Sequence, residues 1–378
     1  MKESASLQEN QRRYFESLDL VRGLAALVVL IYHTDFMFGL RHSLLPGGYL
    51  AVDLFFVLSG FVLSLTYGRS IADGSLKIRN YAVARMARLF PLFLATTCIG
   101  FFVMTARYRS NFGYFDTANL IKSALVNIAM MPSFVGLYNM PTATSFPFNA
   151  ATWSIFFELV ASILFFYFFG RTNRIALIGV AVLSWLVLAI TVAQVGTIDV
   201  GYASDNFFAG FPRVIFSFTA GVLIQRIFAR NPWQCRPWLL YALLAVWLML
   251  VQLRAVFAAA QIFDLLAVTI VLPAIVVVGA GVKLTGTTRA VAVFLGQTSY
   301  AVYLTQGSLI IAAAGVSQAL LDKKIYDLGP WVGFVFVPFV VAVSYLSYRY
   351  YELPARIMLR QFGNSKPLKS ADSLPPQA

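Results

Sequence analysis

Apolar residues dominate the chain in long blocks, separated by short polar or basic stretches. The first block, about Leu18 to Gly39, meets the roughly 20 residues that a hydrocarbon core requires. Further blocks at about 49–67, 84–106, 152–169, 174–195, 209–228, 237–253, 261–280, 291–314 and 330–350 bring the expected number of membrane helices to about ten. The stretch 118–135 fits less well. It is short, contains Lys122 and Asn127, and ends near Pro132, so it reads as an interfacial or partly inserted helix. The pattern predicts an all-α polytopic bundle with three parts: a polar N-terminal segment at 1–16, a membrane domain at 17–358, and a polar, disordered tail at 359–378.

Composition agrees. Of the 378 residues, 59% are hydrophobic and 12% charged, with a mean hydropathy of +0.75, whereas soluble domains carry about 25% charged residues. No soluble domain of normal size is left over. The net charge of +13 does not mark a nucleic-acid binder, because the basic residues lie between the apolar blocks, where the positive-inside rule places them. With ten spans, all but eight of the 29 Lys and Arg fall on one side. The exceptions are Arg41, Arg107, Arg109, Lys122, Arg213, Arg254, Lys323 and Lys324. This bias puts both termini in the cytoplasm, and an extra span at 118–135 would destroy it. Cys98 and Cys235 form no disulfide framework, and two histidines with two isolated cysteines do not make a zinc site. The first block lacks a small-residue cleavage site and reads as a retained span.

Several ionisable residues interrupt the apolar blocks. Arg22 and His33 are eleven residues apart, close to three turns, so they share a face about 16 Å apart along the axis. Such groups cost at least a few kcal/mol each inside a span and usually face a bundle interior or a wet cavity. Taken alone, Arg22 also fits a snorkelling flank residue, and His33 a structural histidine. The second block begins at the opposite surface, so Asp53 reaches about the depth of His33. The short loop between them makes the two helices antiparallel neighbours, and a His33–Asp53 pair is expected, the carboxylate orienting the ring. Glu158, in Trp153-Ser154-Ile155-Phe156-Phe157-Glu158, is expected at a similar level. Three ionisable groups at one depth suggest a site; the plainer alternative is a buried network that fixes helix register. At the inner end Arg85 and Arg88 are i,i+3 and share a face suited to phosphate, although an ordinary positive-inside anchor has the same pattern. Pro91 follows them and frees backbone groups nearby. Ser299, Tyr303 and Gln306 lie near one helix face, where they line a cavity or bond between helices. Glu352 is expected to pair with an inner arginine.

Together these segments resemble acyltransferase family 3, the integral-membrane O-acyltransferases of surface polysaccharides and some small molecules. The likeness spans about residues 15–358. It rests on Leu18-Asp19-Leu20-Val21-Arg22-Gly23, Tyr32-His33, Gly47-Gly48, the run Val52 to Phe61, Arg85-Met86-Ala87-Arg88-Leu89-Phe90-Pro91, Trp153 to Glu158, Ser299-Tyr300 with Tyr303-Leu304, and Glu352 with Pro354. Each is weak alone; their order makes the likeness specific. The resemblance implies that His33 is the catalytic group and that Arg85 and Arg88 handle acyl-CoA. Many relatives carry a histidine where Gln306 stands, so any role of that histidine is in doubt here.

The expected chemistry follows. Acyl-CoA, acetyl-CoA in the common case, is a cytoplasmic co-substrate rather than a bound cofactor. Its phosphates would meet Arg85, Arg88 and Arg22, and its thioester would reach His33. His33, held by Asp53 and with Glu158 as a second partner, would take the proton of a glycan hydroxyl arriving from outside or on a lipid carrier. Trp153, Ser59, Tyr303 and Gln306 would line the acceptor side. An acyl-enzyme route through Ser59 is the alternative chemistry. The rival function is a transporter or flippase using the polar stripe as a path, against which no paired broken helices occur in corresponding halves. The expected location is the bacterial inner membrane.

Overall fold

The computed structural model describes residues 15–38, 43–109, 117–135, 144–257 and 259–363. Its helices are α1 Glu16–Thr34, α2 Leu50–Ala72, α3 Ile78–Arg109, α4 Thr117–Ile128, α5 Trp153–Leu164, α6 Arg174–Val195 and α7 Gly210–Arg230. They continue with α8 Pro237–Leu253, α9 Ala260–Leu266, α10 Leu272–Gly281, α11 Gly286–Leu321, α12 Trp331–Ser347 and α13 Leu353–Gly363. Short 3-10 or π turns join α9 to α10 and α12 to α13, so each of these pairs acts as one span. Among the described residues, ten helical units are long and apolar enough to cross a bilayer, beginning with Glu16–Phe38 and ending with Trp331–Gln361. The only extended pairing among the described residues is one antiparallel bridge, Thr144 to Ala203.

Helix ends follow local chemistry. Asn173 caps α6 by accepting from the Ala176 N–H at 2.8 Å, and Gly196 closes it in the left-handed region at φ +89°. Pro237 opens α8, where a missing N–H costs nothing.

The stretch expected at the interface is α4, twelve residues long and about 18 Å by its rise, too short to cross. Leu120, Ser123, Ala124 and Asn127 make its buried face, while Ile121 and Leu125 are exposed. The boundary expected at 358 is not a break, because α13 continues as helix to Gly363. Residues 1–14 and 364–378, most of the two expected polar ends, lie outside the described residues, as does Arg41.

Contacts between helices fix their directions. Gly296 of α11 lies against Asp19 of α1, and Gln306 faces His33 farther along, so α1 and α11 run parallel. Tyr300 donates to the Leu89 carbonyl at 2.5 Å and Ser308 to the Thr96 carbonyl at 2.7 Å, so α3 runs with them. Tyr81 bonds the Ser162 carbonyl while Arg85 meets Glu158, so α5 runs against α3. Spans one, three and nine therefore point one way and span four the other, as ten successive crossings require. We call the end where α1 starts the near end and its opposite the far end.

α2 and α7 approach most closely at Gly60 and Gly221. A Cβ at Gly60 would collide with the Phe218 carbonyl, and one at Gly221 with the Val57 carbonyl. Small residues of this kind let membrane helices pack backbone to backbone. Gly60→Val is expected to lower stability by about 1–3 kcal/mol or more through overpacking. A fall of several degrees in the detergent melting temperature would register it, and an unchanged melting curve would rule it out.

Candidate active site

His33 is the last residue but one of α1, half-buried. Its ring lies 5.4 Å from that of Tyr32, and Gln306 of α11 faces it. Gln306 is fully buried; its amide nitrogen donates to the Tyr303 carbonyl at 3.0 Å, and its Oε1 has no hydrogen-bond partner. An unpaired buried amide oxygen is costly, which makes it a ready acceptor for an imidazole N–H. Among the described residues no carboxylate hydrogen-bonds His33.

The expected His33–Asp53 pair is therefore corrected. Asp53 sits near the start of α2, wholly buried, and both its oxygens are taken by Arg213. Arg213 Nε meets them at 2.9 and 3.1 Å, and Nη2 meets Oδ2 at 2.8 Å. Arg213 is equally buried and also donates to the Val200 carbonyl at 2.9 Å and the Tyr49 carbonyl at 3.1 Å. The guanidinium fork matches a carboxylate in a way an imidazole cannot. Trp153, expected to line the acceptor side, instead packs under this guanidinium, with its ring 5.3 Å away.

Glu158 is also displaced from its expected level. Ser154 of α5 pairs with Tyr303 at 2.7 Å, and Gln306 lies three residues above Tyr303. Glu158 is four residues below Ser154, so it lies about 10 Å nearer the near end than the His33–Gln306 level. There it accepts from Arg85 at 2.6 Å and from the Ser59 hydroxyl at 3.1 Å. A Ser59–His33 pair does not form, which leaves the acyl-enzyme route without its base. Tyr303 is buried between Ser154 and the Phe55 ring, 5.4 Å away.

Three arginines converge on the near side of this level. Arg22 is held by Asp19 at 2.8 Å, and Arg85 by Glu158. Arg88 lies near enough to both to share their field and has Glu352 close by. Its guanidinium packs over the Tyr300 ring at 5.8 Å, and among the described residues no carboxylate or carbonyl takes a hydrogen bond from it. Arg22 and Arg88 remain half-buried rather than sealed. The expected acid for an inner arginine is present: Glu352 is buried, with Arg88 and Arg356 in its field and Oε2 unpaired. Pro91 leaves α3 continuous, and the carbonyls beside it accept from Tyr300 and from Tyr351, the latter at 3.1 Å.

The arrangement thus has a guanidinium without a bonded carboxylate below and an imidazole facing Gln306 above, on helices that share one interior. The family model described as an acyltransferase domain, type 3, matches residues 15–349. The chain belongs to acyltransferase family 3. Protein 2 of the picA locus of Rhizobium radiobacter is 30% identical over 188 residues, 48% of this chain and 95% of that protein. The peptidoglycan O-acetyltransferase of Listeria monocytogenes is 35% identical over 81 residues, 21% of this chain but only 12% of that relative. This chain therefore spans a small part of the length of that named enzyme. No solved structure matches the chain significantly. The protein is an integral-membrane acyltransferase by family and by its ten apolar helices.

Sequence reasoning missed the far-end polar network. Arg213 and Arg254 read as outer-side charges, and Asp264 and Asp199 drew no notice. Arg254 meets Asp264 at 2.6 and 3.1 Å, and Tyr49 donates to Asp264 at 2.7 Å. The available signal was position: Arg213 lies three residues inside an apolar helix, too deep for a loop anchor.

Proposed function

We propose that this protein is a membrane O-acyltransferase that moves an acetyl group from cytoplasmic acetyl-CoA to a hydroxyl of a glycan exposed outside the cell or carried on a lipid. In this reading both termini face the cytoplasm, the near end receives the donor, and the protein resides in the bacterial inner membrane. The observation that carries it is Arg88, a half-buried guanidinium on the near side of His33 that forms no ion pair among the described residues. Glu352 and Glu158 lie in its field without bonding it, so its N–H donors stay open to an anion. Phosphates of the donor supply that charge, with the paired Arg22 and Arg85 adding to the field.

The thioester carbonyl would then lie at the His33–Gln306 level. His33, with one ring nitrogen turned to Gln306, offers the other as general base to the acceptor hydroxyl. The oxygen attacks the carbonyl carbon, the proton passes to His33, and CoA leaves as thiolate and regains a proton from the imidazolium. Asp53 and Glu158 serve by holding Arg213 and Arg85, and so the helices, rather than by touching the reacting atoms. The O-acetyltransferase name of the Listeria relative supports the choice of acetyl.

Vesicles containing the protein, given radiolabelled acetyl-CoA on the near side and glycan from cells lacking the protein, are expected to place label in the glycan. Unmodified acetyl-CoA or glycan accumulating across the vesicle would mark a transporter and overturn the reading. Arg88→Ala is expected to weaken acetyl-CoA binding at least tenfold, about 1.4 kcal/mol, with the melting temperature nearly unchanged. Unaltered acetyl-CoA affinity in that variant would remove Arg88 from donor binding.

A further inference from the structure

The loop between α6 and α7, residues 196–206, is fastened across the far end. Ile198 and Val200 are fully buried, and Arg213 and Asp264 bond its backbone. Asn206 takes hydrogen bonds from the Gly201 and Ala203 N–H groups, and the Tyr202 carbonyl accepts from Ser145 at 3.0 Å. A segment tied down this firmly holds whatever side chain it presents in a fixed place.

That side chain is Asp199. Its Oδ2 accepts from the Tyr32 hydroxyl at 3.3 Å, and its Oδ1 stands 3.8 Å from Arg213. Arg213 is already saturated by the closer, forked Asp53. Asp199 is thus a second carboxylate on one guanidinium, held at arm's length, and surplus to the charge balance of the pair. It also keeps 24% of its side chain exposed, where Asp53 and Arg213 have none. Burial raises its carboxyl above the ordinary range against the pull of Arg213, so its place has a cost that the ion pair alone does not offset. Two aromatic rings flank it: Tyr32, next in sequence to His33, and the exposed Tyr202.

A partly exposed carboxylate beside aromatic faces suits a polyhydroxylated ring. The oxygens accept from neighbouring hydroxyls, and the apolar C–H face of the sugar lies on the rings. We infer that Asp199, with Tyr32 and Tyr202, forms the acceptor subsite, and that it selects an uncharged saccharide by hydrogen bonds to hydroxyls adjacent to the one acylated. The surplus negative charge would repel an acidic sugar at the same position. This inference rests on the acetyl-transfer reading above.

The test uses full-length protein in vesicles with radiolabelled acetyl-CoA, and as acceptor the envelope glycan purified from cells lacking the protein. Asp199→Asn is nearly isosteric and keeps a side chain for Tyr32 to bond. It is expected to raise the half-saturating glycan concentration at least tenfold while leaving that for acetyl-CoA unchanged. Tyr32→Phe is expected to shift glycan saturation in the same direction by a smaller factor. A lower maximal rate with unchanged glycan saturation would mean that Asp199 only supports the fold, and the inference falls. Should Asp199→Asn turn over too slowly to titrate, ligand-induced melting shifts decide. Loss of the glycan-induced shift with the acetyl-CoA shift intact supports the subsite; both shifts intact overturn it. Failure of the wild-type protein to label the glycan at all would sink the parent reading as well, and is a separate outcome.

Discussion

His33→Ala is expected to abolish acetyl transfer while leaving the protein folded and in the membrane. A positioned general base contributes typically 10²–10⁴-fold, and among the described residues no second imidazole stands near enough to replace this one. The fold should survive because His33 is half-buried and has no carboxylate partner, so its removal strands no buried charge. Gln306 loses a neighbour but keeps its bond to the Tyr303 carbonyl. The two readouts are label in the glycan and the detergent melting temperature. A variant that transfers acetyl at the normal rate would take His33 out of the chemistry. One that melts far below wild type would recast it as structural.

Asp53→Ala has the opposite signature. Asp53 and Arg213 are both fully buried, and deleting the carboxylate leaves the guanidinium with two carbonyl acceptors and Asp199 at 3.8 Å. Breaking such a pair from one side costs about 3–5 kcal/mol, a large part of the 5–15 kcal/mol that typically separates folded from unfolded protein. Little folded Asp53→Ala protein should reach the membrane fraction. Replacing both partners, as Asp53→Leu with Arg213→Met, removes the stranded charge and should recover much of the yield. If Asp53→Ala instead gives normal amounts of stable but inactive protein, Asp53 belongs with His33 in the chemistry after all.

These contrasting outcomes arise because the polar residues were legible in the sequence and their partners were not. Asp53 reaches the far end as expected from its place at the start of α2. Yet an apolar helix offers no sign of which of several charges at one depth it will meet. Arg213 comes from 160 residues away and outcompetes His33 because a planar fork saturates both carboxylate oxygens at once. Glu158 lies deeper for a simpler reason. The 3-10 turn at Ala150–Thr152 opens the span and puts Glu158 eight residues, about 12 Å, inside it. Asp199 could not be found from pattern, because a short loop between spans carries no periodicity.

The sequence by itself determined the ten apolar helices, the family, and most of the ionisable residues inside the bundle, Arg22, His33, Asp53, Arg85, Arg88 and Glu158 among them. Each of these follows from local composition weighed against a hydrocarbon slab, which needs no knowledge of neighbours. Only the tertiary structure decided which of those residues pair, and so which remain unpaired. Arg213 takes Asp53, Arg85 takes Glu158 and Arg22 takes Asp19, leaving Arg88 and His33 without a bonded ionic partner among the described residues. In a low-dielectric interior pairing is settled by ångström-scale geometry between distant segments, and the groups left over are the ones free to meet a substrate.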